Sequence, residues 1–161
     1  MTQTKPPVYG NPVARVLLCI HQVRSGEPAG EYATLYMEKP ASFSSIIEMV
    51  NGLDAYFDEM DFPQAYNRYR SFDDGSQPTA PANGQQAVQK MDERVFATLF
   101  GQKATFVVQV LFRQNSTWQG TVCWTEQRKT QRFRSTLELI KLLDSAVAAD
   151  ESETEAFSDW D

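Results

Sequence analysis

Histidine is almost missing from this chain: His21 is the only one in 161 residues, and it is accompanied by two cysteines. A zinc site of the usual kind, or a nucleophile activated by imidazole, would have to be built on that single residue. His21 lies in the apolar stretch LLCIHQV (17–23), where an imidazole satisfied within a strand is the expectation. Cys19 and Cys123 share no metal-ligand spacing and fall in strand-like segments, so buried free thiols are expected and not a disulfide. Neither GxGxxG nor GxxxxGK[ST] occurs, which removes the common phosphate-binding loops. No apolar run nears the roughly 20 residues that cross a bilayer. The opening MTQTKPPVYGNP lacks the basic and then apolar pattern of a secretory signal, so a cytoplasmic protein without a membrane partner is expected. Asn115-Ser116-Thr117 matches a glycosylation acceptor, a match that means little without such a signal. Asp58, Glu59 and Asp61 look like the solvated end of a helix, and a carboxylate-only hydrolase is the remote alternative. The expectation is a non-enzymatic chain with no catalytic residue, no cofactor and no metal.

What the chain does have is hydrophobic mass, 42% of residues, with ten Phe, six Tyr and three Trp, which is enough for one ordinary domain with its own core. Its formal charge of −6 is unevenly spread. Residues 150–161, DESETEAFSDWD, carry six acids and no base, whereas the other 149 residues hold 15 bases and 15 acids. Residues 12–70 have five bases and eight acids, and residues 103–149 seven bases and three acids, so the halves are −3 and +4.

One phrase is written twice. FSSIIEMVNGLD (43–54) returns as FRSTLELIKLLD (133–144), ninety positions later. Upstream of each copy lies a hairpin-like pair of segments: ARVLLCIHQVR (14–24) and EYATLYMEK (31–39), then ATFVVQVLFRQ (104–114) and TVCWTEQRK (121–129). The same offset matches Ala14 with Ala104, Gly30 with Gly120 and Lys39 with Lys129. Ser45-x-x-Glu48 and Ser135-x-x-Glu138 are capping boxes, each worth about 1 kcal/mol, in which the glutamate is expected to reach back to the serine's own N–H. Phe43 and Phe133, two residues ahead of the caps, would fix the entry angle of each helix, and Gly30 and Gly120 would close the hairpin turns. Ile46, Val50, Leu53 and Phe57 share one helix face in the first copy, and Leu137, Ile140, Leu142 or Leu143, and Val147 in the second. Only Asp54 and Asp144 have no structural reason in this scheme. The expected fold is α+β: two ββα repeats forming a mainly antiparallel four-stranded sheet with two helices on one face. Two separate lobes are the alternative.

The expected organisation is therefore a first repeat over 12–70, an exposed linker SFDDGSQPTAPANGQQ (71–86), a short helix and second repeat over 87–149, and an acidic tail over 150–161. Tyr66, Arg68, Tyr69 and Arg70 cluster ahead of the linker. Around the second repeat, Arg128, Lys129, Arg132 and Arg134, with Lys103 and Arg113, are expected to form a basic surface beside Trp118 and Trp124. Cations mixed with aromatics suit an acidic peptide or single-stranded nucleic acid. The pI near 4.8 favours a protein partner and leaves nucleic acid as the alternative. Phe157 and Trp160 in the acidic tail complete the expected partner-binding set, the tail acting as a polyanion. Exposed sheet edges would also allow a homodimer.

The segment FRQNSTWQGTVCWTEQRKTQRFRSTLELIKLLDSA, about a fifth of the chain, resembles small uncharacterised ββα-repeat proteins of gut Firmicutes. TWQGTVxW and FRSxLELIKLxDSA carry the likeness. The resemblance implies an accessory protein of bacterial or mobile-element origin and carries over no catalytic residue. Inhibitors of host defence, anti-CRISPR proteins among them, are what such an origin suggests.

Overall fold

The computed structural model describes residues 12–62, 88–114 and 117–158, without the side chains of Gln114 and of residues 150–158. The expected linker, the Tyr66–Arg70 cluster, Trp160 and the side chain of Phe157 lie outside the described residues. A 3₁₀ turn (Pro12–Ala14) leads into β1 (Arg15–Arg24), β2 (Glu27–Ala33), β3 (Ala41–Phe43) and helix α1 (Ile46–Met60). Then follow α2 (Glu93–Thr98), β4 (Ala104–Gln114), β5 (Thr117–Trp124), β6 (Lys129–Phe133) and α3 (Thr136–Ser158). The strands form one six-stranded sheet in the order β3-β2-β1-β4-β5-β6, with every pairing antiparallel. The protein is α+β, and the halves share one sheet instead of forming separate lobes.

The sheet has six strands where four were expected, because each unit is strand-strand-strand-helix. Two features hide the extra strand. β3 is only three residues long, and β6, KTQRF, is polar and exposed until its last residue, so neither carries an alternating apolar pattern. The expected second strands, 31–39 and 121–129, also begin too late. Gly30 and Gly120 do not close turns; they sit inside β2 and β5, paired with Ile20 and Val110. A Cβ at either would collide with a carbonyl of the neighbouring strand, that of Cys19 or of Gln109. The first hairpin turns at Ser25-Gly26, both with positive φ (52° and 77°), the backbone of a two-residue turn whose twist matches the strands.

The ninety-residue offset recurs in the backbone pairing. At the centre of the sheet Leu17 faces Val107, and the pairs Val16 with Val108 and Leu18 with Phe106 exchange under the same offset, so a pseudo-twofold axis passes between β1 and β4. β1 bulges against β2 at His21, and β4 bulges against β5 at Leu111. Each extra residue reverses which face the following side chains take. Val23 and Arg113, odd-numbered like the residues of the far face, are therefore turned toward the helices. The correspondence is approximate: α1 has 15 residues and α3 has 23, and α2 precedes only the second unit.

Helix entry is built alike in both units. Ser45 and Ser135 accept from the N–H groups of Glu48 (3.2 Å) and Glu138 (3.1 Å). Glu48 reaches one residue further back than expected, accepting from the N–H (3.1 Å) and hydroxyl (2.8 Å) of Ser44, which hold its carboxyl below the usual range. The first residue of each second strand caps the helix as well: Glu27 accepts from Ile46 N–H at 2.6 Å, and Thr117 from Thr136 N–H at 2.8 Å. Asp61 ends α1 in the left-handed conformation, donating its N–H to the carbonyls of Phe57 and Asp58. One core lies between the sheet and the two long helices, made by Val16, Leu18, Ile20, Phe106, Val108, Val110, Met49, Leu53, Phe57, Leu139, Leu143 and Val147 among others. The buried stripe of α3 is Leu139, Leu143, Ala146 and Val147; Leu137, expected inside, is 60% exposed.

Candidate functional site

The second unit contains a cleft of ≈ 240 Å³. Its floor is Phe106, Val122 and Trp124 from β4 and β5, its roof Leu142, Ser145, Ala146 and Ala149 from α3, and its outer rim Lys129 and Gln131 from β6. The ninety-residue offset gives the residues that stand at the corresponding positions of the first unit. Val122 and Ala146 stand where the first unit has Tyr32 and Tyr56. The Tyr32 phenol lies so close over Gly52 that a Cβ there would meet its oxygen, and Tyr32 stacks on Phe43 at 6.2 Å. The Tyr56 hydroxyl accepts from Thr34 Oγ1 at 3.0 Å and donates to the Val13 carbonyl at 2.7 Å. Burial pushes the Tyr56 phenol up to about 12, partly offset by the Thr34 hydrogen bond and reinforced by Tyr36 and Glu59, while burial and Glu48 raise Tyr32. The second unit has Leu142 where the Tyr32 phenol covers Gly52, and Trp124 where Thr34 meets Tyr56, so the two halves fill this region with different side chains.

β6 is the outer strand on this side, and among the described residues no strand lies beyond it. Lys129, Thr130, Gln131 and Arg132 are all exposed. Strand alternation turns Lys129 and Gln131 toward the cleft and Arg132 toward the opposite face. Arg128 sits in the tight turn before β6 with φ 51°, and Arg134, exposed, in the connection to α3. The expected basic surface is thus divided between both faces of one edge strand.

Two of its expected members are elsewhere. Trp118, expected at the surface, is 3% exposed, and its ring meets Phe57 edge-on at 5.5 Å. The Arg113 side chain is 6% exposed, lies 5.6 Å over the Phe57 ring and binds Asp58 at 2.8 Å and Asp54 at 3.5 Å. Asp54 also accepts from Trp118 Nε1 at 3.1 Å. This cluster fastens the helix of the first unit to the strands of the second and supplies the structural reason for Asp54 that the sequence did not reveal. Asp144 has no such partner by symmetry, because Val23 stands at the position equivalent to Arg113. Trp124, by contrast, does stand beside Lys129, its cross-strand neighbour.

The nucleophile and base candidates behave differently. Burial, helped by Glu31 and Glu126, pushes the Cys19 thiol up to about 11, which keeps it protonated. His21 accepts the Gln102 N–H on Nδ1 at 3.3 Å, which places its proton on Nε2, 3.7 Å from Glu31. Among the described residues no three His, Cys, Asp or Glu side chains gather in a way that could hold a metal ion, and no helix is long and apolar enough to cross a membrane. Set beside protein-family models, curated proteins and solved structures, the chain matches none of them.

Proposed function

We propose that this chain is a non-enzymatic protein-interaction module that receives a partner segment along the β6 edge. The observation that carries this reading is that a five-residue exposed edge strand also forms the rim of an unfilled apolar cleft. An edge strand offers unpaired N–H and C=O groups to an added strand, and a cleft beside it gives selectivity for alternate side chains. The opposite edge, β3, is blunted to three residues. Lys129 and Arg132 oppose pairing of the edge with another copy of itself and favour an acidic partner.

The test is affinity capture from the native host with the wild-type chain and with Lys129→Glu/Arg132→Glu, followed by hydrogen exchange on the purified complex. A protein retained only by the wild type, with slowed amide exchange over 129–133, is the expected result. Protection confined to other elements would defeat the reading. The narrower form, an inhibitor of a nucleic-acid-handling defence enzyme, rests on the accessory or mobile-element origin suggested by the likeness of residues 112–146 to small uncharacterised proteins, and on the acidic composition of residues 150–161. Restored plasmid uptake in a cell with active DNA-targeting immunity would support it, and unchanged interference would remove it.

A second reading, binding of single-stranded nucleic acid, is favoured by the exposure of Arg128, Lys129, Arg132 and Arg134 within seven residues. Arg128→Ala/Arg132→Ala should then weaken oligonucleotide binding and flatten its salt dependence. The division of these bases between two faces favours the strand-docking reading instead.

A further inference from the structure

We infer that the cleft is a selectivity pocket for one aromatic side chain of the partner, flanked on either side in sequence by an acidic residue. This rests on the strand-docking reading and names the partner's chemistry. The volume comes first. A dry cavity of about 150 Å³ holds benzene, so ≈ 240 Å³ accommodates a phenol or indole ring together with its methylene. The first unit shows which group suits this architecture, since two tyrosine rings, Tyr32 and Tyr56, occupy the equivalent space. The second unit carries Val122 and Ala146 in place of those tyrosines, and Trp124 and Leu142 in place of Thr34 and Gly52, so the cleft beside them is walled by apolar and aromatic side chains against which a ring can pack.

The charge pattern follows from strand geometry. A strand added to β6 alternates its side chains between the two faces. The residue that points toward α3 enters the cleft beside Lys129 and Gln131. Its immediate neighbours emerge on the opposite face, where Arg132 stands exposed. An acid at those flanking positions meets Arg132, and basic flanks would be repelled. The partner pattern is therefore acid-aromatic-acid within an otherwise strand-forming segment.

Three seven-residue peptides with blocked ends serve as probes, TVEWEVT, TVEAEVT and TVKWKVT, titrated into the full chain by fluorescence anisotropy with a fourth, TVEWEVT N-methylated at alternate residues. The tryptophan-glutamate peptide should bind at least about tenfold tighter than its alanine or lysine counterparts. Ala146→Tyr, which restores the first unit's side chain, should erase the tryptophan-over-alanine preference while the melting temperature stays near wild type. Arg132→Glu should remove the preference for acidic over basic flanks. Equal affinity for the tryptophan and alanine peptides, or a preference that survives Ala146→Tyr, would overturn the inference and leave strand docking standing, provided N-methylation still weakens binding. No loss on N-methylation would instead overturn the strand-docking reading.

Discussion

Replacing the acids around Arg113 should destabilise the protein at least as much as replacing the arginine itself. The guanidinium is 6% exposed, whereas the side chains of Asp54 and Asp58 are 55% and 67% exposed. In Arg113→Met the two carboxylates return to water at little cost and the apolar stem is retained. The losses include one short charge-assisted hydrogen bond, one long one and the contact with Phe57, about 2 kcal/mol for these three. In Asp54→Asn/Asp58→Asn the guanidinium stays buried without either counter-charge. Removing a partner of a buried ion typically costs 3–5 kcal/mol, and the half-exposed carboxylates place the loss of these two at about 3 kcal/mol. Adding Arg113→Met to the double variant should recover part of that loss, because a buried cation is replaced by an apolar chain of similar length. Urea unfolding of the three variants, read by tryptophan fluorescence, measures the ordering. A double acid variant within about 0.5 kcal/mol of wild type would refute the reasoning, since it would mean that the cluster is no more than a surface ion pair.

Three further outcomes are expected. Leu139→Ala should cost about 3 kcal/mol in chemical denaturation and Leu137→Ala less than about 0.5 kcal/mol, because the first is 1% and the second 60% exposed. Gly120→Ala should cost about 2 kcal/mol or more in thermal unfolding through the collision of its Cβ with the Gln109 carbonyl, and Gly30→Ala should behave alike against Cys19. Cys19 rises from 9.0 to about 11 and Tyr56 from 10.0 to about 12, so above pH 9 the unfolded chain loses protons that the folded chain keeps. Stability is then fully present below pH 9 and falls as pH rises toward 12; Cys19→Ala should flatten the part between 9 and 11 in urea midpoints taken across that range.

Much of the fold was legible because its signals are local. The serine caps and the strand-forming apolar runs in ARVLLCIHQVR and ATFVVQVLFRQ each act within a few residues, so the chain reveals them without its partners. The inward stripe of α3 was misjudged by one step because LELIKLL is apolar at too many positions for period alone to choose a face. β3 and β6 escaped notice because an edge strand with little to bury needs no hydrophobic alternation.

The candidate site was legible only in fragments. Lys129 and Trp124 were recognisable as a cation beside an aromatic, and the ninety-residue repeat was visible as identities. The chain by itself therefore determined the α+β class, the inner strands β1 and β4, the two long helices with their serine caps, and the likeness of the two helix entries. Tertiary structure alone decided that Arg113 is buried, that Arg132 and Lys129 face opposite ways, and that a cleft lies between α3 and the last three strands. Each of these depends on which residues of distant strands face one another, and a single bulge reverses that assignment for every side chain beyond it.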